Sequence, residues 1–165
     1  MLFSKWTVYQ VAALAGLIAL AFLAEFYSVN IGNVLTSGAV SSMLIVLTFI
    51  LLSTSLIHLF FIFHSKKSGR FLSPPLWNKM NVLSGLLLAV SVVLFISAAV
   101  FTPLSGWITD ARWILYGILY FFLFLYSLFV LSVVHKVKHE SAKETKIEIS
   151  FGATFVSLCV LLFLL

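Results

Sequence analysis

Charge is almost missing from most of this chain. Residues 7–28, 39–63, 80–102, 113–134 and 149–165 hold one carboxylate, Glu25, and neither lysine nor arginine. Only 9% of the 165 residues are charged, against about a quarter in an ordinary soluble domain. That deficit excludes a water-soluble globular unit. Cysteine is equally scarce. Cys159 stands alone, so neither an intrachain disulfide nor a thiol pair can form, and the residue reads as a small apolar side chain. Asp110 is the only aspartate, which removes any paired-aspartate intramembrane chemistry. No glycine-rich phosphate loop, H-E-x-x-H, C-x-x-C or G-x-S-x-G occurs, so the usual routes to phosphate, zinc, redox and acyl-transfer chemistry are absent. The three prolines, Pro74, Pro75 and Pro103, fall outside the apolar stretches, so no helix need be kinked by one.

What remains is apolar: 62% of the chain. A helical crossing of a bilayer needs roughly 20 mainly apolar residues. Four of the five stretches reach that length, and the 17 residues of 149–165 lie at its short end. The expected fold is an all-α integral membrane protein, a compact single bundle of five transmembrane helices spanning residues 1–165. The segments between them are short, the longest being 64–79, which leaves no room there for an aqueous catalytic domain. Lys5 ahead of an apolar run with Ala19 and Ala21 resembles a cleavable signal over residues 1–21. The run continues past that point to Tyr27, longer than a usual signal core, so a retained first helix is expected.

The basic residues set an orientation. Lys5, then Lys66, Lys67, Arg70 and Lys79, then Lys136, Lys138, Lys143 and Lys146 all fall on one side of five crossings; only Arg112 falls on the other. Basic residues favour the cytoplasmic side of a membrane. The N-terminus is therefore expected in the cytoplasm and the C-terminus on the far side. Trp6, Trp77, Trp107 and Trp113 lie at the ends of the stretches, where an indole suits the headgroup zone. Thr109 or Asp110 is placed to cap the fourth helix. The net charge of +5 reads as topology signal and lipid-headgroup contact, with no nucleic-acid partner.

Lipid offers no hydrophobic drive for helix association, so small residues must let backbones approach. Ala12, Gly16 and Ala19 in the first stretch, Gly85 and Ala89 in the third, and Ala153 and Ser157 in the fifth form such stripes. The fourth stretch is crowded with aromatics, and its Tyr116 and Tyr120 share a face where their hydroxyls need partners. A faint internal echo is also present. Ser55-Leu56 precedes His64, and Ser127-Leu128 precedes His135, each followed by lysines. Two parallel hairpin repeats would produce it.

The histidines are the candidates for chemistry. His64 and His135 match in depth, as the two axial ligands of a haem b must when they come from different helices. His135 and His139, four apart, could share a metal on one helix face, though only Glu140 backs them. The plainer reading places these histidines in the hydrated interface beside lysines. His58 lies six residues deeper, and an ionisable group there is costly and belongs in the bundle interior. Together with Gln10 and Glu25 it marks a candidate polar path for a proton or small solute. The leading expectation is a non-enzymatic multi-pass protein of a bacterial plasma membrane without cofactor. It would serve as an accessory, assembly or immunity-type factor, in the lipid bilayer with a membrane-protein partner or a second copy of itself. A haem b or quinone-linked redox subunit through His64 and His135 is the first alternative. A subunit of a small-solute or ion transporter through His58, Glu25 and Gln10 is the second.

Overall fold

A computed structural model describes residues 4–26, 39–68, 71–72, 77–101, 111, 113–138 and 140–164, without the side chains of 39–43 and 78. Among them every regular element is a helix. In chain order these are α1 (Lys5–Phe26), α2 (Ala39–Lys67), α3 (Trp77–Phe101), α4 (Trp113–Val137) and α5 (Lys143–Leu164). All five contain a segment long and apolar enough to cross a membrane. The links 27–38 and 102–110, with Trp107 and the capping residues expected at Thr109 and Asp110, lie outside the described residues.

The helices outrun the apolar stretches. α2 continues through His64 to Lys67, and α5 starts at Lys143, six residues before its apolar run. α5 is therefore 22 residues long, about 33 Å at 1.5 Å per residue, which removes the shortfall expected of 149–165. Glu144 in its first turn suits the positive end of the helix dipole, and its carboxylate pairs with Lys66 of α2 at 3.5 Å. Helix formation is local, whereas apolarity marks only the part that must avoid water.

α2, α4 and α5 pack against one another, α1 lies on α2 and touches α4, and α3 packs only on α4 among the described residues. Small polar side chains lie at the contacts. Ser53, Thr54, Ser127, Ser132, Ser150 and Thr154 are all fully buried. Three of these hydroxyls bond their own helix: Thr54 Oγ1 donates to the Ile50 carbonyl at 2.6 Å, Ser132 to Phe129 and Ser150 to Ile147. Others cross between helices: Ser84 and Ser132 hydroxyls are 3.0 Å apart, and the Tyr126 hydroxyl donates to Ser157 at 2.8 Å.

The small-residue stripes are corrected in detail. On α1 Ala13 is buried, while Ala12 and Ala19 face outward. Ala89 and Ala153 are likewise exposed. Two glycines do mark close approach. A Cβ on Gly16 would lie 3.1 Å from Leu56 of α2, and one on Gly85 would lie 3.1 Å from Phe129 of α4. Tyr120 finds its partner in the Leu17 carbonyl of α1, at 3.0 Å.

The two hairpins follow a common plan. Trp6 and Trp77, Gln10 and Asn81, Ala13 and Ser84, Phe49 and Tyr120, and His64 and His135 are each 71 positions apart. Ala13 and Ser84 are each buried on the inner face of their helix. Phe49 and Tyr120 stack on each other. The correspondence is not complete: Ser55 and Ser127 are 72 positions apart, one out of this register, and Ser55 is half-exposed whereas Ser127 is fully buried. α5 has no counterpart.

Candidate functional site

Four of the five singled-out residues lie in three separate places, and the fifth joins one of them. His64 occupies the last turn of α2, and the Gln10 amide of α1 donates to its Nδ1 at 3.0 Å. With Nδ1 accepting, the neutral ring carries its proton on Nε2. Phe60 stacks on the ring at 6.2 Å and Phe71 meets it edge-on at 4.9 Å. Phe71 is carried there by the turn that ends α2. Ser68 N–H bonds the His64 carbonyl, Phe71 N–H bonds the Ser68 carbonyl, and Leu72 follows with φ of 61°. A left-handed leucine costs about 1–2 kcal/mol, and burial of its side chain, only 4% exposed, offsets that cost.

From Phe71 the contacts run on. Trp77, opening α3, meets Phe71 at 5.1 Å, and His135 of α4 lies 5.7 Å from Trp77. His64 and His135 thus stand at the two ends of a row of rings. They do not face each other across an open slot. A porphyrin plane between them would displace both Phe71 and Trp77, so this arrangement does not fit a haem held by the two imidazoles. The hydrated setting expected for His135 is also corrected: its ring is 4% exposed, because Trp77 and the neighbouring helix cover it. His139 lies outside the described residues, and no group of three His, Cys, Asp or Glu gathers among those described.

Around this row the basic end is knitted together. Lys5 and Lys66 both lie 5.4 Å from the centre of the Trp6 ring, within the range of a cation–π attraction. Phe63 packs against Trp6 and Tyr9. Lys66 therefore ties α1 to α2 through Trp6 and α2 to α5 through Glu144.

Glu25 lies 15 positions beyond Gln10 on α1, about 22 Å along the axis, near the opposite end. The Tyr116 hydroxyl donates to its carboxylate at 3.4 Å. The pair lines a cleft of about 390 Å³ between α1 and α4, with Ala21, Phe22, Trp113 and Gly117. His58 is elsewhere again. Its ring is 3% exposed, and Nδ1 lies 2.9 Å from the Thr54 carbonyl of its own helix. Its neighbours are Phe61 and, from α5, Phe151. Gln10 therefore belongs with His64, and the structure does not bring Gln10, His58 and Glu25 together.

Sequence reasoning missed Phe71 and Trp77 as members of the row of rings. The 71-residue spacing relates Trp6 to Trp77, and Trp6 stacks on Phe63, the chain neighbour of His64, as Trp77 meets His135. No family model, no curated protein and no solved structure matches the chain.

Proposed function

We propose that the chain is a non-enzymatic multi-pass protein of a bacterial plasma membrane that works through helix contacts with a larger membrane partner. In this reading it is an accessory, assembly or immunity-type factor, with its lysine-rich end in the cytoplasm. The observation that carries the proposal is the isolation of α3. It packs only on α4 among the described residues, and Val82, Leu83, Leu86, Val93, Leu94 and Val100 leave most of its circumference bare. A helix fixed along one side by Gly85 and Ser84 offers its other sides to a neighbour at no cost in internal packing. Lysines on both basic links hold the bundle at a fixed depth, which sets the register of any partner helix.

A photo-crosslinking amino acid at Leu86 or Val93 tests this in living cells. A discrete protein adduct from those positions, absent when the probe stands at Val11 of α1, supports the proposal. Adducts to lipid alone from α3 overturn it. An adduct of twice the chain's mass identifies the partner as a second copy.

A further inference from the structure

A cleft of about 320 Å³ opens between α2 and α5, walled by Leu59, Ile62, Ile147 and Phe151 and carrying three polar groups, Ser55, His58 and Glu148. Each of the three offers a hydrogen-bond acceptor there. The His58 Nδ1 lies 2.9 Å from the Thr54 carbonyl, which has no proton to give, so Nδ1 carries the hydrogen and Nε2 is the bare lone pair of the neutral ring. Nε2 lies on the ring edge away from its own helix, is buried, and has no hydrogen-bond partner. The Ser55 hydroxyl donates to the Leu51 carbonyl at 2.7 Å, leaving oxygen lone pairs. The Glu148 carboxylate is an acceptor when ionised.

A buried acceptor without a donor costs free energy, and in hydrocarbon no water relieves it. We propose that this cleft binds a membrane-dissolved molecule with a neutral hydroxyl on an apolar, preferably aromatic, body. The hydroxyl donates to His58 Nε2, and the body lies along Leu59, Ile62 and Phe151. Phe151 meets the imidazole edge-on at 5.2 Å, and Nε2 is buried, so the Phe151 ring must turn aside for the hydroxyl to reach it. A neutral donor suits a cleft whose walls are mainly apolar, Leu59, Ile62, Ile147 and Phe151, because carrying a charge into hydrocarbon is costly. A hydroquinone of a lipid quinone and a lipid alcohol such as diacylglycerol supply the same donor.

Paired ligands that differ only in that donor decide the matter on the full chain in lipid nanodiscs. A short-chain hydroquinone is compared with its quinone, and diacylglycerol with triacylglycerol, by native mass spectrometry and thermal shift. The hydroxyl-bearing member of at least one pair should bind about tenfold more tightly than its partner. Which pair discriminates identifies the source. His58→Leu should abolish that preference while retaining helical content. Should His58→Leu fail to fold, Ser55→Phe fills the cleft from one turn away on the same helix and should lose the same ligand. Equal binding within both pairs, tighter binding of a long-chain amine, or a preference unchanged in the variants overturns the proposal.

Discussion

Phe49 and Tyr120 stack face to face, their planes 8° apart and their centres 6.2 Å apart, and they are 71 positions apart in the chain. Each holds the same place in its own hairpin, so the hairpins meet at equivalent residues. A ring pair of this kind contributes about 1 kcal/mol beyond the area it covers. It also brings the Tyr120 hydroxyl to the Leu17 carbonyl at 3.0 Å, joining α1 to the same contact. One aromatic position thereby orders three helices.

The first prediction follows from that geometry. Phe49→Leu and Tyr120→Leu should each lower stability, and the double variant should lose less than the sum, with a coupling of about 1 kcal/mol. Reversible unfolding in mixed micelles measures the cycle. Strict additivity would mean that the stack contributes only bulk apolar contact.

The five long apolar helices were legible, because a bilayer crossing demands about 20 mainly apolar residues and such runs stand out in a sequence. The helix ends were not. His64 to Lys67 and Lys143 to Glu148 are helical although polar, since helix propensity persists where apolarity stops. The inward faces were equally hard to read from apolar residues, because lipid and interior are both apolar and periodicity fades. Small polar residues carry that signal instead. Ser53, Ser84, Ser127 and Ser150 are all buried, while Leu83, Leu86 and Val93 face outward. Gln10 and His64 were both singled out, yet only the fold shows that they bond each other, 54 positions apart. The Phe71 contact depends on the left-handed turn at Leu72, which no residue preference announces.

The two tight glycines should respond differently to enlargement. At Gly16 an added methyl meets the end of the Leu56 side chain at 3.1 Å, which can swing aside, and alanine gains up to about 1 kcal/mol of helix propensity. Gly16→Ala should therefore be near neutral. At Gly85 the obstacle is the Phe129 ring, also at 3.1 Å, and α4 is the only helix that α3 packs on among the described residues. Gly85→Leu should cost about 1–3 kcal/mol and free α3 from α4. Disulfide trapping between Ser84→Cys and Ser132→Cys reports the separation directly, since the two hydroxyls are 3.0 Å apart.

Orientation can be read at each end. With the lysines in the cytoplasm, a reporter fused after Leu165 should behave as external and one inserted at Ser141 as cytoplasmic. α5 is 22 residues long, long enough at about 1.5 Å per residue to cross a 30 Å core. A cytoplasmic signal from the Leu165 fusion would contradict five crossings in this orientation.

His64 and His135 occupy equivalent positions in the two hairpins, yet their substitutions should differ. His64 is only half-buried and its polar contact is one hydrogen bond, from Gln10 at 3.0 Å. His64→Ala should cost about 1 kcal/mol, and adding Gln10→Ala should cost little more, because the bond is already lost. His135 is 4% exposed against Trp77. His135→Ala should leave a cavity in the packed end of α4 and cost about 2 kcal/mol or more. Trp77 fluorescence supplies a local readout. It should shift strongly in His135→Ala, because the ring touching the indole is gone, and weakly in His64→Ala, because Phe71 stands between them. If His64→Ala proves the more damaging of the two, the row of rings does not order this end of the bundle, and His64 has a role that its packing does not account for.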